Sequence, residues 1–352
     1  MLCIDSHLDL GLNALFYNRD LKQPVAQVRA WEADMTGKSR GKNTVCFPEL
    51  RQGEVFLLFS TILARHASGA KAQLDFSPEA CFASARSQLI LYRLYEAQGL
   101  LRPIRTAADL DRHLAEWTSA PETAPLGHLL SMEGADPMLS PDQVYWWWDE
   151  GLRILSLAHY GPSAYAYGTH TEGGLKAMGR EVLGLMQELG MTLDLTHLAD
   201  QSFWEALDLF QGRVVATHNN CRALVPDQRQ FSDEQIRAII ERDGVIGAAM
   251  DDWMLLPGWD KANPTPEQVT LSDVVDHIDH ICQLAGNARH VGIGTDLDGG
   301  FGKEQSPWDL DTIADLQKIP DLLRARGYAE ADVEAVMHGN WLRFLGETLP
   351  TA

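Results

Sequence analysis

The 352-residue sequence predicts an α/β fold, a (β/α)8 TIM barrel with an excursion after its first strand and long loops after later ones. Three observations predict it. Eight short apolar runs recur along the chain, amphipathic helical patterns separate most of them, and polar groups of one chemical kind keep appearing at the ends of the runs. In a barrel of parallel strands those C-terminal ends build the active site.

The runs span residues 2–10, 55–63, 128–135, 152–160, 191–197, 213–218, 244–250 and 290–296. Several are rich in Val, Ile, Leu and Thr and too short for helices. The intervening segment 80–98 carries Leu89, Leu91, Leu94 and Tyr95 at helical spacing, and 179–189 carries Val182, Leu183, Leu185, Met186 and Leu189. Further helices are expected over 202–210, 232–242 and 271–285. Ser232 before Asp233 and Glu234 is a good N-cap with acids in the first turn, and Gly190 is a good terminator after Leu189. Segment 11–53, locally basic at Lys38, Arg40 and Lys42, reads as the excursion. Segment 251–268, with Trp253, Pro257, Trp259, Pro264 and Pro266, reads as a long loop that walls or covers a pocket. No internal repeat, low-complexity tract or linker interrupts the pattern, so a single domain over 1–352 is expected.

A hydrophobic content of 45% and a charged content of 22% are those of a globular protein. The net charge of −20 repels phosphates, so neither nucleic acid nor an anionic membrane is the expected partner. A small anionic substrate meets only the local field of a pocket and stays compatible. Five cysteines without a C-x-x-C spacing fit neither a disulfide framework nor a cysteine zinc site. Reduced thiols in the cytoplasm are the expectation. A first strand beginning near residue 2 leaves no room for a signal peptide, and neither an apolar span nor a C-terminal anchor signal is seen.

The chemistry gathers at the strand ends. In Ile4-Asp5-Ser6-His7-Leu8-Asp9, residues two apart on a strand face the same way, which puts His7 and Asp9 together. The third, fourth, fifth, sixth and eighth runs carry Glu133, His159, His197, His218 and Asp296 at their ends. Singly, each reads as a cap or a turn former. Jointly, four histidines and three acids at one rim are costly unless cations organise them. His7, Asp9, His197 and His218 provide ligands for two metals, and Glu133, with two oxygens, can bridge them. Two such ions about 3.5–4 Å apart would share a hydroxide. Asp296 could take its proton and pass it to a leaving group. A purely imidazole and carboxylate set favours zinc, two ions per chain, with manganese, cobalt or iron as alternatives.

At this level of detail the chain resembles the membrane (renal) dipeptidase family of the amidohydrolase superfamily. The resemblance is carried by Asp5-Ser6-His7-Leu8-Asp9, Met132-Glu133-Gly134, Leu155-Ser156-Leu157-Ala158-His159, Asp194-Leu195-Thr196-His197 and Ala216-Thr217-His218. It continues through segment 274–280, Val291-Gly292-Ile293-Gly294-Thr295-Asp296-Leu297-Asp298-Gly299 and Gly339-Asn340-Trp341-Leu342-Arg343. It implies a binuclear zinc barrel that hydrolyses dipeptides. His7 and Asp9 match the ligands of one zinc, His197 and His218 those of the other, and Glu133 the bridge. His159 matches a histidine that polarises the scissile carbonyl, Arg229 the arginine holding the substrate carboxylate, and Asp296 the acid ending the last strand. Asp296 is preferred to Asp298 because it completes the apolar strand, although a register slip would exchange them. The resemblance also implies tolerance of a D-residue on the C-terminal side, and for some members β-lactam opening.

The chain departs from the pattern in its aromatics. Trp146, Trp147 and Trp148 lie in an expected helix, where core packing or a homodimer interface explains them. Tyr165 and Tyr167 fall after the fourth run and are candidates for substrate contact. His277 and His280, three apart, are read as the solvated sides of a helix rather than as ligands. His66, His113, His128, His170, His290 and His338 have no matching metal partner, although His170 retains a substrate role as an option. Competing functions are another amidohydrolase acting on N-acyl amino acids or lactones, and a non-catalytic metal-binding homologue.

Overall fold

The computed structural model describes residues 1–65 and 77–351; His66 lies outside them. Nine strands run through the described residues: β1 (Cys3–Leu8), β2 (Val55–Leu63), β3 (Leu101–Pro103), β4 (Leu126–Glu133), β5 (Leu152–Ser156), β6 (Thr192–Asp194), β7 (Val214–Val215), β8 (Ile246–Ala248) and β9 (Val291–Ile293). Every one of the eight expected runs overlaps a strand, β4 beginning two residues before its run. The ninth, β3, is a three-residue strand ending in proline that pairs in parallel with β4, Leu101 opposite Leu126.

Two compact units divide the chain. The first comprises Met1–Leu58, Thr217–Glu241 and Val245–Arg343, and the second Phe59–Ala216, Arg242–Gly244 and Phe344–Ala352. The chain passes from one to the other inside β2 and again just after β7. In the first unit β9 lies between β1 and β8, all parallel, with Asp5 opposite Ile293 and Gly247 opposite Gly292. In the second, β4, β5, β6 and β7 pair in succession, again all parallel. Apart from β3, of which only Leu101 is buried, the strands are buried along their whole length, as expected when both faces of a parallel sheet are covered.

Within the first unit the chain following β7 is held against β8 and β9. Asn219 N–H donates to Gly247 O at 2.7 Å, and Ser6 Oγ donates to Thr217 O at 2.6 Å. A Cβ on Gly247 or Gly294 would lie 2.1 or 1.9 Å from Thr217 O. Glycine at both positions is what lets this carbonyl, and with it His218, approach the strand ends.

Helices form close to where the spacing predicts. Pro78–Ala97 begins after Ser77, whose side chain accepts Ala80 N–H at 3.1 Å. Leu271–Ala285 has the expected bounds. Asp233–Glu241 follows Ser232, which exchanges bonds with Gln235. Gly190 ends Ala177–Leu189 in the left-handed conformation at φ 71°. The excursion contains three short helices, Leu10–Leu15, Val25–Trp31 and Phe47–Gln52. Its centre is Arg19, whose Nε and NH2 meet the two oxygens of Glu32 at 3.0 and 3.1 Å while NH1 donates to Asn13 Oδ1 at 2.7 Å. Among the described residues no helix is long and apolar enough to cross a membrane.

Candidate metal centre

In the first unit the ends of β1 and β9 and the chain after β7 bring His7, Asp9, His218 and Asp296 together. His7 Nε2 lies 3.8 Å from Asp9 Oδ2 and 3.8 Å from Asp296 Oδ1. The His7 and His218 ring centroids are 3.8 Å apart. One ligand-type atom from each of His7, Asp9 and Asp296 falls within a 4.8 Å set. Asp9 Oδ1 is buried and accepts no hydrogen bond among the described residues. A carboxylate oxygen left so is costly, and a cation beside it would remove the cost.

One hydroxyl organises both imidazoles. Thr217 Oγ1 lies 3.4 Å from His7 Nδ1 and 3.1 Å from His218 Nδ1. The oxygen has two lone pairs and can accept an N–H from each ring, which leaves the Nε2 lone pair of each free to bind a cation, that of His7 on the side of Asp9 and Asp296. Beneath them, Asp5 accepts Thr295 N–H at 3.0 Å, Thr295 O–H at 2.6 Å and His7 N–H at 3.1 Å, tying the end of β1 to the end of β9. Burial pushes the Asp5 carboxyl up to about 6 against the pull of those bonds.

In the second unit β4 ends on Glu133, and His159 and His197 follow β5 and β6. Glu133 Oε1 is 3.0 Å from His197 Nε2 and 3.6 Å from His159 Nε2. The two rings are 4.3 Å apart, and Tyr160 stands edge-on to both, at 4.8 Å from His159 and 4.9 Å from His197. Thr169 Oγ1 holds His197 Nδ1 at 2.8 Å. His159 differs: its Nδ1 faces Arg65 NH1 at 3.3 Å. This group too offers three ligand-type atoms within 4.8 Å of one another.

His197 and Asp296 both adopt left-handed backbone, at φ 67° and 58°. For residues other than glycine this costs on the order of 1–3 kcal/mol each and is found where a side chain must be aimed. It also explains why the strands stop early. The runs expected over 191–197 and 290–296 end at Asp194 and Ile293, and the functional side chains sit in the turns that follow.

Arg229 is buried. Its NH2 donates to His218 O at 2.8 Å and its NH1 to Asn219 Oδ1. Asp298 is engaged differently from Asp296. It accepts Thr44 N–H at 2.8 Å, Thr44 O–H at 2.9 Å and Val45 N–H at 3.0 Å, and so anchors the excursion. Burial pushes its carboxyl up to about 6, with Arg19 and those donors opposing. Asp296 keeps 16% side-chain exposure beside His7.

Several expectations need correction. His277 is not on a solvated side: it is 1% exposed and its Nδ1 accepts Cys221 N–H at 3.0 Å. A buried backbone donor needed an acceptor, and the helix supplies this ring. His280 is partly exposed and contacts Asp233 at 2.8 Å. Tyr165, a candidate for substrate contact, is fully buried with its hydroxyl donating to Met138 O at 3.0 Å. Trp147 fills the core, while Trp146 and Trp148 carry the guanidinium groups of Arg86 and Arg153 at 4.2 and 3.9 Å. The residues that sequence reasoning left out are Asp5, Arg65, Thr169 and Thr217, together with the stacking role of Tyr160.

Parallel strands whose ends present imidazole and carboxylate groups of this kind define a metal-binding α/β barrel. A model of the membrane dipeptidase family (peptidase family M19) matches residues 1–351, and the chain belongs to that family. Among curated relatives, a Klebsiella pneumoniae protein described as uncharacterized, from the pqqA 5′ region, is 33% identical over 175 residues, 50% of this chain and 61% of the relative. The dipeptidase tcpJ of Claviceps purpurea is 30% identical over 204 residues, 56% of this chain and 45% of its own length. The matches thus span about half the length of these relatives. A crystal structure of a metallo peptidase from Rhodobacter sphaeroides, liganded with a phosphinate mimic of the dipeptide L-Ala-D-Ala, is 24% identical, covers 99% of each chain and has a TM-score of 0.78. That likeness shows the TIM-barrel fold expected from the sequence.

Proposed function

We propose that this protein is a zinc-dependent dipeptidase in which His7, Asp9, Glu133, His197 and His218 hold two metal ions. One observation carries the reading. In each unit Nε2 atoms gather with carboxylate oxygens, and three of the histidines, His7, His197 and His218, have their Nδ1 on a threonine hydroxyl. That is the tautomer-fixing arrangement of metal-binding histidines. The donors are all nitrogen and oxygen, and Asp9 contributes a buried oxygen without a hydrogen bond, so the residues fit divalent zinc.

Bound there, the ions would supply Lewis acidity and make water acidic enough to react near neutral pH. The chain's own groups do the rest. Arg229 spends two N–H groups on His218 O and Asn219 and keeps others for the terminal carboxylate of a dipeptide, a charge-assisted contact. His159 donates from Nε2 to the carbonyl oxygen as it gains charge. Asp296 accepts the proton of the attacking water on a carboxylate oxygen and returns it to the departing amine nitrogen. Asp296 suits this task better than Asp298, whose oxygens are already engaged by Thr44 and Val45.

The test is metal analysis of the purified protein together with a hydrolysis screen of L,L-dipeptides, L,D-dipeptides, N-acyl amino acids and lactones. Zinc near two per chain and cleavage of dipeptides, including some with a D-residue on the C-terminal side, is the expected result. Turnover confined to N-acyl amino acids or lactones would replace the assignment. A zinc-loaded protein that cleaves none of them would leave a non-catalytic homologue.

A further inference from the structure

We infer that Arg65 is the residue that sets His159 apart from the other histidines, by holding its ring in the Nε2–H form. The inference rests on the function proposed above, because the reaction needs His159 as a donor rather than as a metal ligand. His7, His197 and His218 each present Nδ1 to a threonine hydroxyl, at 3.4, 2.8 and 3.1 Å. A hydroxyl oxygen can accept Nδ1–H and leave Nε2 with its lone pair. His159 presents Nδ1 to Arg65 NH1 at 3.3 Å. A guanidinium has five donors, no acceptor, and does not give up its charge. A hydrogen on Nδ1 would set two donors against each other, so Nδ1 accepts and the ring hydrogen resides on Nε2. That nitrogen faces Glu133 Oε1 at 3.6 Å, the side on which a substrate carbonyl oxygen would need a donor.

Position supports the assignment. Arg65 follows β2 by two residues, at a strand end like the other functional groups. It is half-buried, and its Nε makes no hydrogen bond among the described residues. It brings a cation next to one imidazole, an arrangement with no obvious use in packing. Arg65 is a positioning residue: it acts through His159.

The experiment reads the tautomer directly. Protein labelled with 15N-histidine is examined metal-free and zinc-loaded by two-bond 1H–15N correlation, with His159 assigned from its loss in His159→Gln. The expected spectrum has a pyridine-type Nδ1 and a pyrrole-type Nε2 for His159. Wild-type protein with the opposite tautomer overturns the inference whether or not dipeptides are cleaved, and its outcome is independent of the proposed activity. Two variants complete the test. Lysine is also a pure donor, so Arg65→Lys keeps the tautomer and loses at most about threefold in kcat. The glutamine amide both donates and accepts, so Arg65→Gln moves His159 toward Nδ1–H and lowers kcat about tenfold or more, with KM within about threefold. An unchanged tautomer in Arg65→Gln, or a raised KM at constant kcat, overturns the assignment; the latter would make Arg65 a substrate-binding group.

Discussion

The two units solve the problem of aiming histidines in different ways. In the first, one hydroxyl, Thr217 Oγ1, serves both His7 and His218, and one buried carboxylate, Asp5, ties the underlying strands together. In the second, the two histidines have different partners: Thr169 for His197 and Arg65 for His159. A shared acceptor makes two rings alike, whereas a cation in place of a hydroxyl makes one ring the opposite of its neighbour. The difference teaches that a histidine's task at such a site is written in what touches its Nδ1, not in its own position at a strand end.

The comparison can be broken most severely at the acid that no ring replaces. Asp296→Asn should lower kcat by about 10²–10⁴-fold while metal content, measured by elemental analysis, stays near the wild-type value. Full turnover by that variant would remove Asp296 from the reaction. The contrast between hydroxyls comes next. Thr217→Val deprives two rings of their partner and Thr169→Val only one, so chelator competition should show metal affinity falling about 10–100-fold for the first and less for the second. Equal losses would mean that the shared acceptor is not used as described.

Arg229 sharpens a different side of the first unit. Arg229→Met should raise KM by roughly 10–100-fold for dipeptides with a free carboxylate, the scale of a hydrogen bond to a charged group. Amidated dipeptides, which lack that carboxylate, should lose much less in Arg229→Met, so an equal loss on them would argue against carboxylate binding.

The smallest effect concerns stability. Asp252 is buried just beyond β8, and neither of its oxygens is hydrogen-bonded among the described residues. Burial, then Asp251 and Asp273, pushes its carboxyl up to about 9. A raised folded-state value means that the proton is bound more tightly in the native protein. The contribution to stability is therefore full below about pH 4, the unfolded value, and is lost as pH rises toward 9. Asp252→Asn should flatten that loss, visible as a higher Tm than wild type at pH 8–9 and little difference at pH 4–5. Parallel curves for the two proteins would show that Asp252 titrates normally.

Much of the site was legible because strand ends are legible. Alternation placed His7 with Asp9, and apolar runs ending in His or an acid pointed to Glu133, His159, His197, His218 and Asp296. What was hidden had physical reasons. β3 is three residues long and ends in Pro103, too short for any periodicity. Helical spacing sets His277 beside the apolar stripe, whereas in the structure its ring turns inward to accept the buried Cys221 N–H. Thr196 and Thr217 each precede a histidine in sequence. Only Thr217 serves its neighbour, while the hydroxyl on His197 comes from Thr169, 28 residues away.

Composition and periodicity were enough to establish the barrel class and the kind of donor each strand delivers, because both follow from local geometry: two-residue alternation along strands and 3.6-residue repetition along helices. Which of Asp296 and Asp298 stands beside His7 and which holds Thr44, and which residue, Thr169 or Arg65, meets the Nδ1 of His197 or His159, were decided by contacts between segments far apart in the chain. Such contacts depend on distances and hydrogen-bond directions that exist only after folding, so no spacing along the sequence encodes them.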